Sequence, residues 1–382
     1  MDFDLTADQQ MIRQMVREFA EQEIAPRARH VDETGEFPAE TFRRMGALGL
    51  MGLPFPEEYG GAGADSVSTA LAIEEVARAC GSTALAYAAH LGLGCAPIAL
   101  FGTPAQKERF LAPAARGEWL GAFGLTEPHA GSDAGATRTT ATLEGDAWVI
   151  NGSKMWITNA PMAGHLIATA VTDKERGKRG ISAIIIPRDT PGMSFGKHEP
   201  KMGLRGSVST AITFDNVRVP RENLLGTRGH GFIQFLQVLD GGRIGIGAMA
   251  LGLAQAAIES AITYAREREA FGKPIGAFQS ISNMIADMSV GIEGARLMIY
   301  RAAWLKDQGR PFTQAAAAAK LYASEVSEKI CRDAIQILGG YGYSQEFPVE
   351  RLYRDTRLLT IGEGTSEILR LVIGQGLLGA LG

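Results

Sequence analysis

The chain has 382 residues, of which 46% are hydrophobic and 21% charged, a composition typical of a soluble globular protein with two or three domains. Its net charge of −4 gives no electrostatic reason to expect nucleic acid or an anionic membrane as a partner. The cysteines, Cys80, Cys95 and Cys331, have neither metal-site spacing nor the even count of a disulfide framework. We therefore expect no metal site and a reducing compartment.

The amino-terminal segment carries acidic residues, Asp2 and Asp4, where a secretory signal or transit peptide carries lysine or arginine. No uninterrupted apolar stretch is expected to approach the roughly 18 to 20 residues of a membrane span. These features predict a cytoplasmic protein without a membrane partner.

Residues 1–120 are predicted to form an all-α domain. The segment Thr6–Gln9 has the residue spacing of a capping box, with which a helix begins. Apolar residues then recur at helical spacing from Ile12 to Phe19, and Pro26 is expected to end the run. Further helices are predicted at 73–80 and from 104 to 110.

The pattern changes near Gly121, where short β-rich runs bounded by Gly, Pro and Asn begin. The runs cover residues 147–150, 154–158, 166–171, 181–186 and 210–214. The pair Asn151-Gly152 between the first two runs is a strong hairpin signal, because both residues tolerate positive φ. We predict a compact β domain over residues 121–228, with a hairpin turn at Asn151-Gly152.

From Gly231 the chain returns to long helical segments. The predicted helices cover residues 231–268, 277–308, 313–338 and 365–378. Their short connections favour a four-helix bundle, which we assign to residues 229–382. The order of helices, strands and helices predicts an α+β fold, not alternating βα units.

A carboxylate stands between two glycines at Gly362-Glu363-Gly364, directly before the last predicted helix. On a turn, the Glu363 side chain is free to lean over a ligand, which makes it the best candidate for a catalytic base. Alternatively, Glu363 only precedes a helix whose amino terminus favours negative charge. This segment alone leaves both interpretations open.

Two segments of the β domain suit a phosphate-bearing, planar ligand. The loop Leu125–Asp133 leaves backbone N–H groups and the Ser132 hydroxyl free to hold a phosphate, although a surface turn is the alternative. In the following strand, alternation predicts that Lys154, Trp156 and Thr158 share one face. Trp156 and Thr158 would then offer an aromatic wall and a hydroxyl to a heterocycle, although a lone tryptophan on a strand is usually core.

Glycines interrupt a predicted helix at Asp240–Gly247. Each glycine in a helix interior costs roughly 1 kcal/mol relative to alanine, so several of them need a reason. The close approach of a helix and that of a ligand would each supply one, and Arg243 favours the ligand. At two helix ends, Arg268 can bind pyrophosphate or simply cap the helix, and Gln336–Gly340 lets a ligand touch backbone.

In this order, these segments resemble one family: the acyl-CoA dehydrogenases, flavoenzymes that introduce a double bond between the α and β carbons of an acyl-CoA thioester. The resemblance covers essentially the whole chain. It rests on Leu125–Pro128, Ala130–Asp133, Lys154–Asn159, Gln336–Gly340 and Glu363–Thr365.

The resemblance implies roles for individual residues. Glu363 falls on the catalytic base, and Gly242 occupies the position that carries the base in some relatives. The residues implied in FAD binding are Phe123, Leu125, Thr126, Ser132, Trp156, Ile157, Thr158, Arg268, Phe271, Gln279, Gln336, Gly339, Gly340, Thr365 and Glu367. Those implied in acyl-CoA binding are Ser132, Asp240, Gly241, Gly242, Arg243 and Gly364.

The resemblance also implies partners. In this family the adenine end of FAD is held partly by a neighbouring subunit, here through Arg268, Gln279 and Gln336–Gly340. A homodimer or, more often, a homotetramer built as a dimer of dimers is therefore implied. The usual electron acceptor is electron-transferring flavoprotein.

Two other functions stay as alternatives. A flavin-dependent oxidase or monooxygenase on the same scaffold would not need Glu363, and a non-catalytic flavin- or CoA-binding subunit would have eroded signatures. One position departs from many members, which have tyrosine where this chain has Gly362. Segments 239–243 and 363–367 look most like those of family members that act on short or branched acyl chains.

Overall fold

The computed structural model describes residues 3–379. Met1 and Asp2 of the acidic start, and the far end of the predicted last domain at 382, lie outside this range. The first helical region contains α1 (Ala7–Phe19), α2 (Ala28–Thr34), α3 (Ala39–Ala47), α4 (Ser66–Ala79), α5 (Gly81–Ala89), α6 (Ala96–Phe101), α7 (Pro104–Gln106) and α8 (Ala112–Ala115). Several are continued by a turn of π-helix, such as Ala20–Ile24 after α1 and His90–Cys95 after α5.

The predicted capping box begins α1. The Thr6 hydroxyl accepts from Gln9 N at 3.2 Å, and the Gln9 side chain accepts from Thr6 N at 3.0 Å. These two bonds satisfy backbone donors that the first helical turn leaves free.

The middle region forms one twisted sheet. Its strands are β1 (Leu120–Gly124), β2 (Thr140–Glu144), β3 (Ala147–Thr158), β4 (Ala163–Val171), β5 (Ile181–Pro187), β6 (Met193–Phe195), β7 (Ser209–Pro220) and β8 (Leu224–Leu225). The strand order is β6-β7-β3-β2-β4-β5-β8, with β1 paired in parallel to β4. A separate apolar cluster that includes Trp148, Ile150 and Ile184 packs this region.

The predicted hairpin at Asn151-Gly152 is wrong. β3 runs through both residues without turning, and its register against β7 shifts between Ile150 and Gly152, where Gly152 has φ +144. The backbone freedom that suits Asn-Gly to a turn also suits it to a β-bulge. The hairpin turn lies earlier, between Glu144 and Ala147, and contains Gly145 at φ +64.

The predicted common face of Lys154, Trp156 and Thr158 is also wrong. A second irregularity between Lys154 and Ile157 breaks the alternation, and Trp156 there has φ +62. Lys154 is consequently buried, whereas Trp156 is 56% exposed.

The last region contains α9 (Gly231–Glu267), β9 (Glu269–Ala270), β10 (Lys273–Pro274), α10 (Gln279–Asp307), α11 (Thr313–Leu338), α12 (Val349–Thr356) and α13 (Ser366–Leu378). The four predicted helices are present as α9, α10, α11 and α13. The short hairpin β9–β10 and α12 were not predicted. α9 packs against α10 and α11 and also against α4 and α5 of the first region.

Two helical stretches of the described chain, Gly81–Phe101 and Gly231–Glu267, are long and apolar enough to cross a membrane. Polar residues such as His90 and Asp240 interrupt both, so neither is the uninterrupted apolar run that the sequence was expected to lack. Most of each stretch is buried inside the protein. Core helices of globular proteins pass the same test, and α9 is such a helix, because it packs against both helical regions.

The predicted α+β architecture is confirmed: helices, then a β region, then a helical bundle. One large apolar core joins the two helical regions. The Glu363 turn lies beside that shared core, between α12 and α13.

Candidate active site

Glu363 is held on a strained turn. Residues 361–364 form the turn between α12 and α13, with Glu363 at φ +53 and Gly364 at φ +99. Left-handed backbone is uncommon for a residue other than glycine, and such strain concentrates at functional sites. Thr365 stops the turn, because its side chain accepts from Ile368 N at 3.3 Å and caps α13.

The Glu363 carboxylate lies against the backbone of α9 at Gly242. A Cβ atom on Gly242 would overlap Glu363 Oε2. From the other side, a Cβ on Gly92 would lie 3.6 Å from the Gly242 Cα. The glycine at 242 is therefore required for the carboxylate to sit where it does.

Gly245 and Gly247 of this segment face neighbouring helices. A Cβ on Gly245 would lie 3.4 Å from Ile73 Cδ1 of α4, and one on Gly247 would lie 3.2 Å from Ile299 of α10. Of the two reasons considered for these glycines, the approach of a helix is thus seen at Gly245 and Gly247, and the approach of a ligand stays a prediction.

A buried cation and its counter-ion follow Gly242 on α9. The Arg243 guanidinium is only 4% exposed and donates to Asp240 at 2.6 Å. Asp240 also accepts from the Thr313 hydroxyl at 2.6 Å. Arg243 Nε and Glu363 Oε2 are both buried without a protein hydrogen-bond partner. Unpaired buried polar atoms are rare, and here they point to a polar ligand at the site.

Sequence analysis missed Lys320, a second cation near the turn. Lys320 lies on α11, is fully buried, and donates from Nζ to the Gly364 carbonyl at 2.7 Å. A lysine beside an alanine run gives no sequence signal for such a place, because lysines on helices usually face solvent.

The surroundings of Glu363 set its pKa. Burial raises the pKa of its carboxyl group to about 7, although the charges of Lys320 and Arg243 pull it down. Burial also lowers the pKa of the Lys320 ammonium to about 8, while the Glu363 charge opposes this change. A carboxylate with a pKa near neutrality is a stronger base than an ordinary glutamate and is still partly ionised at neutral pH.

The loop Leu125–Asp133 and strand β3 are joined by buried polar contacts. Thr126 O accepts from Met155 N at 2.9 Å, and the Lys154 ammonium forms a 2.8 Å ion pair with Glu127. Lys154 also donates to Leu125 O at 3.2 Å. Burial lowers the pKa of Lys154 to about 8, although Glu127 opposes this change. Sequence analysis did not predict this ion pair, which fixes the loop relative to the strand.

The end of β3 presents a flat aromatic surface. Trp156 is exposed there, and the Thr158 hydroxyl lies 3.3 Å from that of Ser209. The next residue, Asn159, donates to Ala86 O of α5 at 2.8 Å. α5 in turn reaches α9, because a Cβ on Gly245 would lie 3.9 Å from Ala88. One helix, α5, therefore lies between the Trp156 surface and α9, which is the helix that contacts Glu363.

Other predicted cofactor residues of the β domain differ in accessibility. The Ile157 side chain is buried, so only its backbone can reach a ligand. Phe123 is half-buried and stacks on Phe235 of α9 with ring centroids 4.1 Å apart. Ser132 lies on an exposed part of the loop, where a Cβ on the preceding Gly131 would meet nothing within 4 Å.

A second concave site lies at the carboxyl end of α11. A cavity of about 510 Å³ is lined by Arg268, Gly339, Gly340, Tyr341 and neighbouring residues. The Arg268 guanidinium lies 5.9 Å from the centre of the Tyr341 ring. Three residues predicted to bind FAD, Arg268, Gly339 and Gly340, thus line this cavity. Phe271, which is 96% exposed, Gln279 and Gln336 do not line it and are exposed.

The two sites are far apart within one chain. Lys320, which bonds the Gly364 carbonyl, and Gly339, in the cavity, are separated by about 28 Å along the axis of α11 at ~1.5 Å per residue. Glu367, another predicted cofactor contact, lies exposed on the first turn of α13.

The donor set fits a flavin better than a metal. An exposed indole with a neighbouring hydroxyl suits a planar ring, and open glycine backbone beside Arg268 suits a pyrophosphate. Among residues 3–379, no group of three or more His, Cys, Asp or Glu could hold a metal ion.

Family models for the amino-terminal, middle and carboxy-terminal domains of acyl-CoA dehydrogenases match residues 6–118, 122–217 and 229–378. Among curated relatives, the probable acyl-CoA dehydrogenase YngJ of Bacillus subtilis strain 168 is 58% identical over 99% of this chain and 100% of its own length. The short-chain specific acyl-CoA dehydrogenase of Clostridium acetobutylicum is 49% identical over 98% of each chain.

Solved structures of similar fold superpose on this chain over nearly its whole length. Butyryl-CoA dehydrogenase from Megasphaera elsdenii has a TM-score of 0.97 and 46% identity over 99% of this chain and 100% of that chain. A chain from the study of the electron transferring flavoprotein of Acidaminococcus fermentans has 0.98 and 46%, over 100% of both. An acyl-CoA dehydrogenase from Bacillus anthracis complexed with FAD has 0.93 and 36%, over 98% and 67%. The resemblance found in the sequence is thereby confirmed, and the protein belongs to the acyl-CoA dehydrogenase family.

Proposed function

We propose that this protein catalyses the FAD-dependent dehydrogenation of a short-chain acyl-CoA thioester to the trans-2-enoyl-CoA, with Glu363 as the base. The observation that carries the proposal is the Glu363 carboxylate, which is seated against Gly242 with an unpaired Oε2 and a pKa raised by burial to about 7. This arrangement suits the removal of a weakly acidic proton.

Glu363 and the residues around it have separate roles in the proposed reaction. Glu363 takes the proton from the α carbon, and the pair of electrons left there forms the new double bond as the β hydrogen leaves with its bonding pair, as a hydride. The Glu363 backbone N–H donates to the thioester oxygen, where negative charge develops. Bound FAD supplies the two-electron acceptor for the β-hydrogen. Asp240–Arg243 and Gly364 line the path of the thioester.

Two groups of residues are proposed to hold FAD. Thr126, Ser132, Trp156 and Thr158 hold the ring and pyrophosphate in one subunit. Arg268, Gly339 and Gly340 of a second copy hold the adenine end, which accounts for a cavity that lies about 28 Å along α11 from Lys320 in the same chain. A site shared in this way requires at least a homodimer, and we propose a homotetramer.

A short acyl chain is favoured by the packing below the base. Ile73 Cδ1 fills the space against Gly245, one turn of α9 beyond Gly242. The relatives named short-chain specific and butyryl-CoA dehydrogenase support the same assignment. We further propose that the protein works in the cytoplasm and that electron-transferring flavoprotein receives the electrons.

The test is an anaerobic titration of the FAD-loaded protein with straight and branched acyl-CoAs, following the visible flavin absorbance. We expect butyryl-CoA to bleach the flavin and Glu363→Gln to abolish bleaching while flavin content is unchanged. Bleached protein should then reduce electron-transferring flavoprotein faster than it reacts with air. Failure of every acyl-CoA to bleach a flavin-loaded protein would refute the proposal, and rapid reoxidation by air would favour an oxidase.

A further inference from the structure

Lys320 is a buried cation without an ion pair. Its side chain is fully buried on α11, and among residues 3–379 no carboxylate oxygen lies within 4 Å of its Nζ. Its bonding partner is the neutral carbonyl of Gly364, at 2.7 Å. Burying an ammonium group without a paired carboxylate is costly, so the position needs a reason.

The carbonyl that Lys320 holds belongs to the strained turn. Gly364 follows Glu363 directly, and both have positive φ. Rotation of the Gly364 peptide would change the direction of the turn and with it the Glu363 side chain. α11 packs closely against α9 here: a Cβ on Gly247 of α9 would be in van der Waals contact with the Lys320 Cα, at 3.7 Å.

Other charged groups do not substitute for Lys320. Arg243 of α9 also faces Glu363, but its charge is balanced by Asp240 at 2.6 Å. Glu325 of α11 and Glu367 of α13 add negative charge near Lys320, and the Lys306 ammonium of α10 approaches Gly241. Lys320 is thus a fully buried cation close to the proposed base that has no carboxylate of its own among the described residues.

We propose that Lys320 is a positioning residue for Glu363: its ammonium group fixes the Gly364 carbonyl, and its charge is the counter-charge that keeps the Glu363 carboxylate ionised. The proposal deepens the proposed function, on which the role of Glu363 as base rests. It assigns Lys320 a task that does not require contact with substrate or cofactor.

The test compares FAD-loaded Lys320→Met, which lacks donor and charge, with Lys320→Gln, which keeps a donor. The rate of flavin bleaching by saturating butyryl-CoA is measured in a stopped-flow instrument across pH. In the wild type the rate should rise with pH through about 7. Loss of the cation should move this rise upward by about one pH unit in both variants. The limiting rate at high pH should fall more in the methionine variant, because only the glutamine can bond the carbonyl.

Lys329→Met is the matched control, since Lys329 lies on the same helix, is exposed, and pairs with Asp333 at 2.8 Å. Its pH profile should equal that of the wild type. Profiles of both Lys320 variants that coincide with the wild type at full flavin content would overturn the proposal. If the methionine variant does not fold, the profile of the glutamine variant decides.

A second readout does not need turnover. At pH 7.5, Glu363→Gln should raise the Tm more in the Lys320→Met or Lys320→Gln background than in the wild type, because the carboxylate there has lost its counter-charge. Equal gains in Tm would refute the coupling. If none of the acyl-CoAs bleaches the flavin of the wild type but this coupling is present, the proposed function fails and the link between Lys320 and Glu363 stands.

Discussion

Gly242 and Glu363 occupy one space: the carboxylate of Glu363 lies where a side chain on Gly242 would begin. In some relatives the catalytic base stands at the position that Gly242 holds here. In this chain, the proposed base on the turn therefore depends on a glycine at position 242 of the helix.

Gly242→Ala should keep the fold and lose activity. The clashing atom is the far end of a flexible glutamate, which can move aside, and alanine favours a helix over glycine by about 1 kcal/mol. A displacement of the base by about 1 Å can cost 10²-fold in rate, so kcat for butyryl-CoA should fall by about that factor. Flavin content should be unchanged.

Gly374→Ala is the control, because Gly374 also lies in a helix and a Cβ there would meet nothing within 4 Å. It should match the wild type in kcat. A Gly242→Ala variant with wild-type kcat would show that the carboxylate works from another position.

Long periodic segments were predictable from sequence. The bounds of α9, α10, α11 and α13 lie within about two residues of the predicted ones, because each helix has an apolar face and clear end signals. The strand irregularities were not predictable, since a bulge at Asn151-Gly152 and a hairpin there have the same sequence signal.

The candidate site was predictable only in part. Glu363 stands out because glycines flank it, but Lys320 and Lys154 do not, because nothing in their neighbours distinguishes a buried lysine from a solvated one. The proximity of Gly242 to Glu363 depends on how α9 packs beside the last turn. That is tertiary information which local patterns lack.

Glu363→Gln should make the protein more stable at neutral pH. The pKa of Glu363 is raised from 4.5 to about 7 in the folded protein, so between these values the folded state binds more protons than the unfolded state. Wild-type stability therefore falls as pH rises through this window, whereas the glutamine variant has no such loss. The difference in free energy of unfolding between the variant and the wild type should grow from pH 5 to 7.5 and reach about 1–2 kcal/mol. A fully buried carboxyl group with the same shift in pKa would give ~3 kcal/mol.

Denaturant unfolding at pH 5, 6 and 7.5 measures this difference. Glu367→Gln is the control, because Glu367 lies exposed near the same turn. A difference between Glu363→Gln and wild type that does not change with pH would mean that Glu363 has an ordinary pKa.

Ile73→Val should shift the preference toward longer acyl chains. The substitution removes Cδ1, the atom that lies against Gly245, and leaves space for about one methylene group. At ~0.8 kcal/mol per buried methylene, the ratio of kcat/KM for hexanoyl-CoA over butyryl-CoA should rise by about fourfold. The cost in stability should be about 0.5–1.5 kcal/mol.

Ile258→Val provides the comparison, since Ile258 is buried on α9 outside the Asp240–Gly247 segment. It should cost similar stability and leave the ratio of the two substrates unchanged. An unchanged ratio in Ile73→Val would mean that the acyl chain takes another path.

Arg268→Ala should weaken FAD binding and oligomerisation together. The guanidinium lines the cavity with Gly339 and Gly340 and has no carboxylate within 4 Å among residues 3–379, so it is available to a phosphate. Loss of a hydrogen bond to a charged group of about 1.5–3 kcal/mol should reduce FAD affinity by about 10- to 100-fold. The measurement is flavin retained after dialysis, with the oligomer size from light scattering of the same samples.

Arg266→Ala separates this effect from a general loss of positive charge, because Arg266 is exposed on the last turn of the same helix. It should retain flavin and subunit number. If FAD joins two copies, added FAD should restore the assembly of the Arg268→Ala variant. The FAD concentration that this requires should exceed that of the wild type by the same factor as the Kd for FAD. If the Arg268→Ala variant keeps its flavin but dissociates into single subunits, Arg268 serves the subunit contact alone. The cavity would then bind a ligand other than FAD.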